Sequence, residues 1–464
     1  MSILANQVIT DFFSGLKGKK IAVCGLGRNN IPVIRQLLKY GAVVAGFDRN
    51  KKETLGSAAK ELEEAGVSLY LGDSYLDSLL TIGADMIIRT PGMNPNQPQF
   101  EMARKQGITV TSEMELFFKL CPAKITAVTG SDGKTTTTTI IARLLEEAGY
   151  RVHLGGNIGR PLLPIVEEIK DDDMVVVELS SFQLCDMTRS PHTAVITNIS
   201  PNHLDWHTDM QDYVNAKKNL ILWQNAGDTA VLNADNGYTK GLAREVRGEL
   251  LVFSRNLKPK RGAWLAPDGF LTFSYDGNDT PVIKAEEIRI PGVHNVENYL
   301  AAISAVWGRV SPEIIADFAR KFGGVAHRCE FVRELNGVKW YNDSIGTSPT
   351  RTAAGLNAFD RKVILIAGGY DKHIPYDSLG PVAAKTVKHA ILMGQTADAI
   401  EKAIRDSSDI PISRVNSMEE AVSTANNIAK SGDIVFMSPA SASFDMYKNF
   451  EERGEHFKQL VMGL

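Results

Sequence analysis

The stretch that most constrains the fold runs from Ile125 to Thr135 and reads ITAVTGSDGKT. Its first five residues are apolar or β-branched and predict a strand, and a tight loop with two glycines follows. A helix is predicted directly after the loop, because apolar side chains recur there at the spacing of one helical face. Strand, glycine loop and helix in this order indicate an α/β domain with a parallel sheet.

The loop between Gly130 and Gly133 also predicts a chemistry. Backbone N–H groups of such a loop, with the positive end of the next helix, form a cradle for phosphate. Lys134 would then place a cation on the outer phosphates, and Thr135 an oxygen on magnesium. The usual pattern has four residues between its glycines, whereas this loop has two. Because strand and helix supply the context that the motif needs, we interpret the loop as an ATP site rather than a chance Gly-Lys-Thr.

Composition argues against several classes of protein. The 51 basic and 54 acidic side chains give a net charge of −3, which does not support non-specific binding to nucleic acid or a membrane surface. The four cysteines lie far apart with no C-x-x-C pair, so we expect reduced thiols and neither a zinc site nor a disulfide framework. No apolar run has the length of a membrane span, and no basic residue precedes Lys17 as a signal peptide would require. We therefore expect a soluble cytoplasmic protein.

Strand and helix signals alternate along all 464 residues, which indicates about three α/β domains. We place the boundaries near residues 112 and 324, so that the blocks are 1–112, 113–324 and 325–464. The first block opens with a strand and the turn Gly25-Leu26-Gly27, and its second strand ends at Asp48, as in nucleotide-binding βαβ units. Asn30 stands where a dinucleotide motif has its third glycine, so we favour another nucleotide, such as a UDP group.

Secondary-structure signals place the remaining motifs on elements. The region 228–290 is predicted to be rich in β-structure, and an apolar helix is predicted over 296–307. A strand over 174–177 ends at Glu178, a strand over 194–199 leads to His203, and a helix carries Lys217. In the third block, strands are predicted over 362–367, 390–393 and 434–437, followed by an amphipathic helix over 444–464 that packs on their sheet.

Taken one by one, the polar residues of the central block remain ambiguous. Glu178 at a strand end beside a phosphate loop is well placed for magnesium, which prefers oxygen ligands, although such carboxylates are commonly just solvated. His203 alone reads as a structural histidine, since imidazole is not the first choice of magnesium, and His207 competes with it for any role. Lys217 alone reads as a surface lysine.

Four motifs of the central block together resemble the Mur ligases, the cytoplasmic ATP-dependent amino-acid-adding enzymes of peptidoglycan synthesis. The motifs are TGSDGKT at 129–135, ELSSFQL at 178–184, NISPNHLD at 198–205 and HNVEN at 294–298. Weaker matches in the other two blocks extend the resemblance over the whole chain. The runs SPASASFD at 438–445 and KNFEERG at 448–454, with the first glycine turn and Asp48, are most similar to the branch that adds D-glutamate to UDP-N-acetylmuramoyl-L-alanine.

The resemblance implies a fold and a set of site residues. It implies a Rossmann-like UDP-binding domain, a central P-loop ATPase-like domain and a Rossmann-like amino-acid-binding domain. The implied ATP-binding residues are Gly130, Ser131, Asp132, Gly133, Lys134, Thr135, Thr136, Asn295, Asn298, Arg328 and Asp343. Those implied for the UDP substrate are Gly27, Arg28, Asn29, Asp48, Arg49, Gly92, Asn157 and Gln183, and those for D-glutamate are Thr347, Lys372, Ser443 and Phe450.

Cofactors and catalytic groups are implied in the same way. Two magnesium ions are expected, one on Thr135 and Glu178 and a second on His203. Lys217 matches a lysine that family members carry as a carbamate, an anionic oxygen group that suits magnesium. The expected catalytic set is Lys134, Glu178, His203 and Lys217.

One loop departs from the family pattern. Ile345 stands where many members carry lysine, and an apolar side chain cannot supply that charge. Either another cation takes the place of that lysine, or the loop is arranged differently. Thr347 lies in the same loop, so the contact assigned to it depends on which of the two holds.

The reaction implied is activation of a carboxylate by ATP as an acyl phosphate, followed by attack of an amine. We expect a monomer in which the third domain closes over the site to exclude water. The alternatives are another ATP-dependent amide ligase, such as a different Mur enzyme or a folylpolyglutamate synthase, a non-catalytic nucleotide switch, and, least favoured, an NAD-dependent dehydrogenase.

Overall fold

The computed structural model of the chain describes residues 3–27 and 29–464. Arg28, one of the residues assigned to the UDP substrate, therefore lies outside the described residues. Among the described helices, none is both long and apolar enough to cross a membrane.

The first sheet is parallel, with strand order β3-β2-β1-β4-β5. Order reverses between β1 and β4, and ligands of open α/β sheets bind at the carboxyl ends of strands at such a point. Its strands are β1 (Lys20–Cys24), β2 (Val43–Asp48), β3 (Ser68–Leu71), β4 (Met86–Arg89) and β5 (Thr109–Ser112). The helices of this part are α1 (Ile3–Ser14), α2 (Asn30–Lys39), α3 (Lys52–Leu55), α4 (Ser57–Glu64), α5 (Pro98–Lys105) and α6 (Glu113–Leu120).

The second sheet carries the glycine loop and is also parallel, with order β11-β10-β9-β6-β8-β7. Its strands are β6 (Lys124–Thr129), β7 (Val152–Gly156), β8 (Met174–Glu178), β9 (Thr193–Ile196), β10 (Thr229–Asn233) and β11 (Glu249–Phe253). Its helices are α7 (Lys134–Glu147), α8 (Ser181–Leu184), α9 (Met210–Leu222) and α10 (Gly237–Leu242). The loop after β6 thus lies between the carboxyl ends of β8 and β9.

A small three-stranded sheet follows, with order β12-β13-β14. Its strands are β12 (Arg261–Leu265), β13 (Phe270–Tyr275) and β14 (Asn278–Lys284). Two helices come next, α11 (Val293–Val306) and α12 (Pro312–Lys321). Short 3₁₀ turns lie at Leu163–Glu168, Ala243–Glu245 and Ala285–Glu287.

The last sheet has the order β15-β16-β20-β17-β18-β19 and is parallel except for the pair β15–β16. Its strands are β15 (Glu330–Leu335), β16 (Val338–Asn342), β17 (Val363–Gly368), β18 (Val387–Met393), β19 (Ile412–Arg414) and β20 (Ile434–Met437). Its helices are α13 (Pro349–Leu356), α14 (Gly380–Thr386), α15 (Ala397–Arg405), α16 (Met418–Ile428) and α17 (Phe450–Met462).

Contacts divide the chain into two compact units. Unit 1 comprises residues 1–282 and 297–315, and unit 2 comprises residues 283–296 and 316–464. Within unit 1, one continuous apolar cluster includes residues of both parallel sheets, such as Val23 and Val177. The domain boundaries at 112 and 324 stay a prediction.

The α/β class and most predicted elements are confirmed, with small shifts at their ends. The predicted tail helix over 444–464 is wrong at its start, because α17 begins at Phe450. The side chain of Asn449 accepts a hydrogen bond from the backbone N–H of Glu452 and caps the helix there. The helix packs on the sheet as expected, with Phe457 and Val461 in a cluster with Trp340.

Candidate active site

The glycine loop of unit 1 is built so tightly that side chains are excluded at two positions. Gly130 has φ 156°, and a Cβ there would come within 1.9 Å of Thr197 Oγ1. Gly133 has φ 77°, and a Cβ there would come within 2.4 Å of Asn298 Oδ1. Glycine is therefore required at both positions by space as well as by backbone conformation.

Two of the loop amides are already engaged within the protein. The backbone N–H of Ser131 donates to the carbonyl of Asn198 (2.9 Å), and that of Asp132 donates to Asn198 Oδ1 (2.9 Å). The loop leads directly into α7, whose positive end is where such motifs bind phosphate. Ser131 and Asp132 therefore help to hold the loop in shape, and their assignment to ATP stays a prediction.

The side chain of Ser131 is likewise a support of the loop. Its hydroxyl donates to the carbonyl of Ser200 (2.9 Å) and is hydrogen-bonded to the hydroxyl of Tyr213 (3.0 Å). Thr197 Oγ1 donates to the carbonyl of Asp132 (2.6 Å). Sequence reasoning missed Thr197, Asn198, Ser200 and Tyr213 as supports, although three of them adjoin or lie within the NISPNHLD motif.

Two lysines meet at the loop. Lys134 Nζ donates to the carbonyls of Gly130 (3.0 Å) and Ser131 (2.9 Å), and Lys217 Nζ donates to the same carbonyl of Gly130 (2.8 Å). Lys217 is almost fully buried on α9, so it is not the surface lysine that its sequence context alone suggested. Burial, and then the charge of Lys134, lower the pKa of Lys217 well below its ordinary value.

Glu178 lies beside the loop because β8 pairs with β6. In the register Val128 stands opposite Glu178, and the carboxylate is buried. Its Oε1 accepts a hydrogen bond from Asn157 Nδ2 (2.7 Å), whereas Oε2 has no hydrogen-bond partner among the described residues. A buried carboxylate oxygen without a partner is costly unless a ligand completes it. Asn157, predicted to hold the sugar substrate, is thus brought to Glu178.

The structure separates the two histidines that the sequence left in competition. His207 is buried, with Nδ1 3.0 Å from Asp212 Oδ2 and Nε2 2.9 Å from Ser181 Oγ. His203 is exposed, and its ring packs edge-on against Phe182. Desolvation, and then the charge of Lys134, lower the pKa of His203, so a neutral ring is favoured. Only His203 is therefore open to a ligand.

The oxygen atoms of Glu178 and Thr135 are donors of the type that magnesium binds. No cluster of three or more histidine, cysteine or carboxylate residues that could hold a metal occurs in the described ranges. Magnesium in nucleotide sites typically takes one or two protein carboxylates together with water and phosphate oxygens. The orphaned oxygen of Glu178 and the hydroxyl of Thr135 at the start of α7 are donors of this kind.

Other predicted contacts of unit 1 have additional structural tasks. Asn298 Oδ1 accepts from Thr137 Oγ1 (3.1 Å) and packs on the glycine loop. Gln183 is buried, and its side-chain oxygen accepts from the backbone and the hydroxyl of Ser180 (both 2.9 Å) in the capping box of α8. Thr136 lies half-buried in the first turn of α7.

At the first sheet, Asp48 organises the glycine turn. Its carboxylate accepts the backbone N–H of Leu26 (2.7 Å) and of Asn50 (2.8 Å). Asn30, which replaces the third glycine of the dinucleotide pattern, is buried and donates to the carbonyl of Gly25 (2.8 Å). Asn30, in place of the third glycine, therefore closes the turn with a side-chain hydrogen bond.

The other residues assigned to the UDP end surround this turn. Gly27, Asn29 and Arg49 are exposed, as expected for positions open to a ligand. The carbonyl of Gly92 accepts a hydrogen bond from Trp206 Nε1 (3.2 Å), which ties the loop after β4 to the segment that carries His203.

Unit 2 holds the remaining ATP candidates. Asp343 is buried at the end of β16, where its carboxylate accepts from Ser438 Oγ (2.7 Å) and from the backbone N–H of Cys329 (3.1 Å). Burial raises the pKa of Asp343 to about 6, although the hydrogen bonds from Ser438 and Cys329, and then the charge of Arg328, oppose the rise. Asn295 is also in unit 2, and its side chain donates to the carbonyl of Pro291 (2.6 Å).

Unit 2 contains the residues predicted for D-glutamate, and two of them, Lys372 and Thr347, are in contact. Lys372 Nζ donates to the carbonyl of Thr347 (3.3 Å), and Ser344 Oγ donates to the carbonyl of Phe450 (2.8 Å). Ser443 is buried in the loop before α17. Ile345 is half-buried, and its backbone N–H donates to the carbonyl of His327 (3.0 Å).

Sequence reasoning missed Arg453 of α17. Its guanidinium is buried and donates to Ser344 Oγ (3.0 Å) and to the carbonyls of Ser344 (3.0 Å), Ser441 (3.1 Å) and Ala442 (2.9 Å). Desolvation lowers the pKa of Arg453 to about 10. The arginine thus joins the two loops that carry Thr347 and Ser443. The sequence around it predicts a helix but gives no sign of these contacts.

Three sequence models of known domains match the chain. "Mur ligase MurD-like, N-terminal domain" matches residues 19–112, "Mur ligase middle domain" residues 128–306, and "Mur ligase, glutamate ligase domain" residues 327–441.

Curated relatives are similar over nearly their full length. A UDP-N-acetylmuramoylalanine--D-glutamate ligase of Acetivibrio thermocellus is 54% identical over 463 residues, covering 98% of this chain and 99% of the relative. One of the same name from Ruminiclostridium cellulolyticum is 48% identical over 466 residues, covering 99% and 100%.

Solved structures support the fold. The UDP-N-acetylmuramate-alanine ligase of Thermotoga maritima matches with a TM-score of 0.57 at 17% identity, over 96% of this chain and 99% of that one. A UDP-N-acetylmuramoyl-L-alanyl-D-glutamate--2,6-diaminopimelate ligase matches with a TM-score of 0.56 at 17% identity, over 97% and 93%.

Proposed function

The chain belongs to the Mur ligase family, and from this premise we propose that it adds D-glutamate to UDP-N-acetylmuramoyl-L-alanine with consumption of ATP. The reaction is a step in the synthesis of peptidoglycan precursors. The observation that carries the choice of substrate is the 54% identity, over almost the whole chain, to a ligase named for this reaction. A folylpolyglutamate synthase is disfavoured, because the first and third blocks match Mur domains as well as the central block.

In the first step, the terminal carboxylate of UDP-N-acetylmuramoyl-L-alanine attacks the γ-phosphorus of ATP. The bond from that phosphorus to the bridging oxygen breaks, ADP leaves, and an acyl phosphate forms. Lys134 exchanges its hydrogen bonds to loop carbonyls for phosphate oxygens and stabilises the negative charge of the transferring group. The first amides of α7 hold the phosphates of ATP.

In the second step, the amine of D-glutamate attacks the acyl carbon. The tetrahedral intermediate loses a proton from nitrogen and expels phosphate, which leaves the amide. Thr347, Lys372, Ser443 and Phe450 hold the incoming amino acid. Lys372 carries the charge that Ile345 lacks, so a cation is supplied to this loop from a neighbouring one.

Magnesium would be held by Thr135 and Glu178, with a second ion on His203, and would neutralise charge on the phosphates. The orphaned Oε2 of Glu178 supports the first assignment. Lys217 carries the carbamate: its lowered pKa favours the neutral amine that reacts with CO₂, and the product is an anionic oxygen ligand. The need for ATP supports a cytoplasmic location, and a monomeric state stays a prediction.

Phosphate release by the purified protein tests the proposal. Phosphate should appear only when ATP, UDP-N-acetylmuramoyl-L-alanine and D-glutamate are all present. Equal turnover with L-glutamate or meso-diaminopimelate would reject the assignment within the family, and release with ATP alone would favour a nucleotide switch.

Lys134→Ala tests the role of the glycine loop in the same assay. Loss of the cation should reduce turnover by at least about 100-fold, because one charge-stabilising donor is commonly worth that much. Lys124→Ala, at the exposed start of β6, the strand that leads into the loop, is the matched control and should keep wild-type turnover. Near-normal turnover of Lys134→Ala would remove the loop from the mechanism.

A further inference from the structure

Arg89, the last residue of β4, is an arginine that the mechanism leaves unused. Its side chain is fully buried, although arginine is almost never fully buried without a partner. Its Nε and Nη2 donate to the two carboxylate oxygens of Asp186, just beyond the end of α8, with Nε 2.9 Å from Oδ2. The pair therefore links the first parallel sheet to the second inside unit 1.

The third guanidinium nitrogen of Arg89, Nη1, faces the loop that follows it, while Nη2 also donates to Cys185 Sγ (3.4 Å). Nη1 donates to the carbonyls of Thr90 (3.3 Å), Pro91 (3.4 Å) and Met93 (3.0 Å). One guanidinium thus holds three carbonyls of a four-residue loop and, at the same time, a carboxylate on the segment that follows α8. A planar group with several fixed donors is suited to this task, and lysine is not.

Two further contacts hold the same loop. The backbone N–H of Thr90 donates to the carbonyl of Cys24 (2.8 Å), and the side chain of Thr90 occupies the space where Gly25 has no Cβ. On the other side, Trp206 Nε1 donates to the carbonyl of Gly92 (3.2 Å). The loop therefore lies against the glycine turn of the nucleotide-binding sheet and against the segment of His203.

We propose that the Arg89–Asp186 pair positions the loop 90–93 as part of the site for the UDP-linked substrate. Arg89 is a positioning residue: it does not touch the substrate but fixes the loop, and with it the distance between the nucleotide-binding turn and the phosphate loop. The inference rests on the proposed function. It adds a buried residue pair that would affect the affinity for the sugar nucleotide without contacting it. Removal of the pair should weaken binding of the UDP substrate more than that of ATP or D-glutamate.

Three variants separate positioning from stability. Arg89→Lys and Asp186→Asn each break the paired hydrogen bonds between the guanidinium and the carboxylate. Asp186→Asn also leaves the buried charge of Arg89 without its carboxylate, which is destabilising. The double variant Arg89→Met with Asp186→Leu replaces the pair by apolar groups of similar size and should recover stability. Asp85→Asn is the matched control, because it breaks the exposed pair of Asp85 with Lys19 in the same unit.

The readout is the KM of each substrate together with kcat. Arg89→Lys and the double variant should raise the KM of UDP-N-acetylmuramoyl-L-alanine about tenfold, because a misplaced binding loop loses well-oriented contacts. The KM values of ATP and D-glutamate should change less than about twofold, as in Asp85→Asn. Equal changes in all three KM values, or a wild-type KM in the double variant, would overturn the proposal.

A second measurement does not depend on the proposed function. Amide hydrogen exchange of the peptide that spans residues 90–93 should be faster in the double variant than in wild type, and unchanged in Asp85→Asn. Unchanged exchange in the double variant would overturn the positioning role. If wild type released no phosphate while exchange behaved as expected, the proposed function would fail and the fastening of the loop would stand.

Discussion

At the scale of single residues, burial at the glycine loop changes the acid–base behaviour of a lysine. Lys217 reads as a surface lysine, yet α9 presents it to the carbonyl of Gly130 in a dry environment beside Lys134. Burial makes the charged ammonium unfavourable there, so the pKa of Lys217 lies well below its ordinary value and the neutral amine is favoured. This is the condition that carbamate formation requires.

Removal of the Lys217 amine tests its role. Lys217→Ala should lose nearly all phosphate release, and a small carboxylate such as acetate should restore part of it by supplying the missing oxygen ligand. Lys218→Ala, which alters the neighbouring half-buried lysine paired with Glu245, is the control and should keep its turnover. Failure of any small carboxylate to restore turnover would count against the carbamate.

Asp343 gives a prediction about pH. Burial raises its pKa to about 6 from an ordinary value of 3.8, so the folded protein holds this proton more tightly than the unfolded chain does. Its contribution to the free energy of unfolding is therefore fully present below about pH 4 and is lost as the pH rises through about 6, a difference of about 3 kcal/mol between the two limits.

Asp343→Asn removes the titrating group, so the stability of the variant relative to wild type should rise between about pH 4 and about pH 7. Urea unfolding of both proteins across this range measures the difference. Asp409→Asn, at an exposed carboxylate of the same unit, should show no such trend. A constant difference between Asp343→Asn and wild type would contradict the assignment of the raised pKa.

At the scale of elements, the site is the product of strand order. Because β6 lies between β8 and β9, the glycine loop has Glu178 on one side and the segment Thr197–Asn198 on the other. At Gly130 the loop lies so near the residue after β9 that Thr197 Oγ1 occupies the position that a Cβ would take.

Gly130→Ala should therefore displace the loop and reduce ATP-dependent turnover by about 100-fold, as expected for a catalytic group moved by about 1 Å. Gly227→Ala is the control, since nothing lies within 4 Å of a Cβ at that glycine. ATP-dependent phosphate release and the unfolding midpoint should be measured together. Wild-type turnover in Gly130→Ala would show that the close approach does not matter for catalysis.

The sequence predicted the elements well and the roles of individual side chains less well. Apolar runs such as 174–177 and 434–437 gave strands close to those observed, because burial on both faces of a parallel sheet requires such runs. The start of α17 was missed because the signal is a single capping bond of Asn449.

Contacts between residues far apart in the sequence could not be predicted from it, for a physical reason. Arg453 is bonded to Ser344 and Asn198 to Asp132, across many residues of sequence, and no local periodicity encodes such pairs. The same holds for the Arg89–Asp186 pair. The occupied amides of Ser131 and Asp132 also show that a motif names a loop without saying which of its donors remain available.

At the scale of the whole molecule, three parallel or mostly parallel sheets carry three sets of residues: the nucleotide turn with Asp48, the loop with Lys134, and the cluster with Lys372 and Arg453. In the proposed reaction these three sets act in sequence: ATP first activates a carboxylate, and an amine then displaces the phosphate. Closure of the third domain over the acyl phosphate stays a prediction of this account.

The fate of one oxygen atom shows whether the carboxylate is activated as an acyl phosphate. UDP-N-acetylmuramoyl-L-alanine labelled with oxygen-18 in its alanine carboxylate should be turned over with ATP and D-glutamate, and the released phosphate analysed by mass spectrometry. Activation through an acyl phosphate predicts that each phosphate carries one oxygen-18 atom from the carboxylate while the amide keeps the other. Phosphate without the label, formed together with product, would contradict the mechanism.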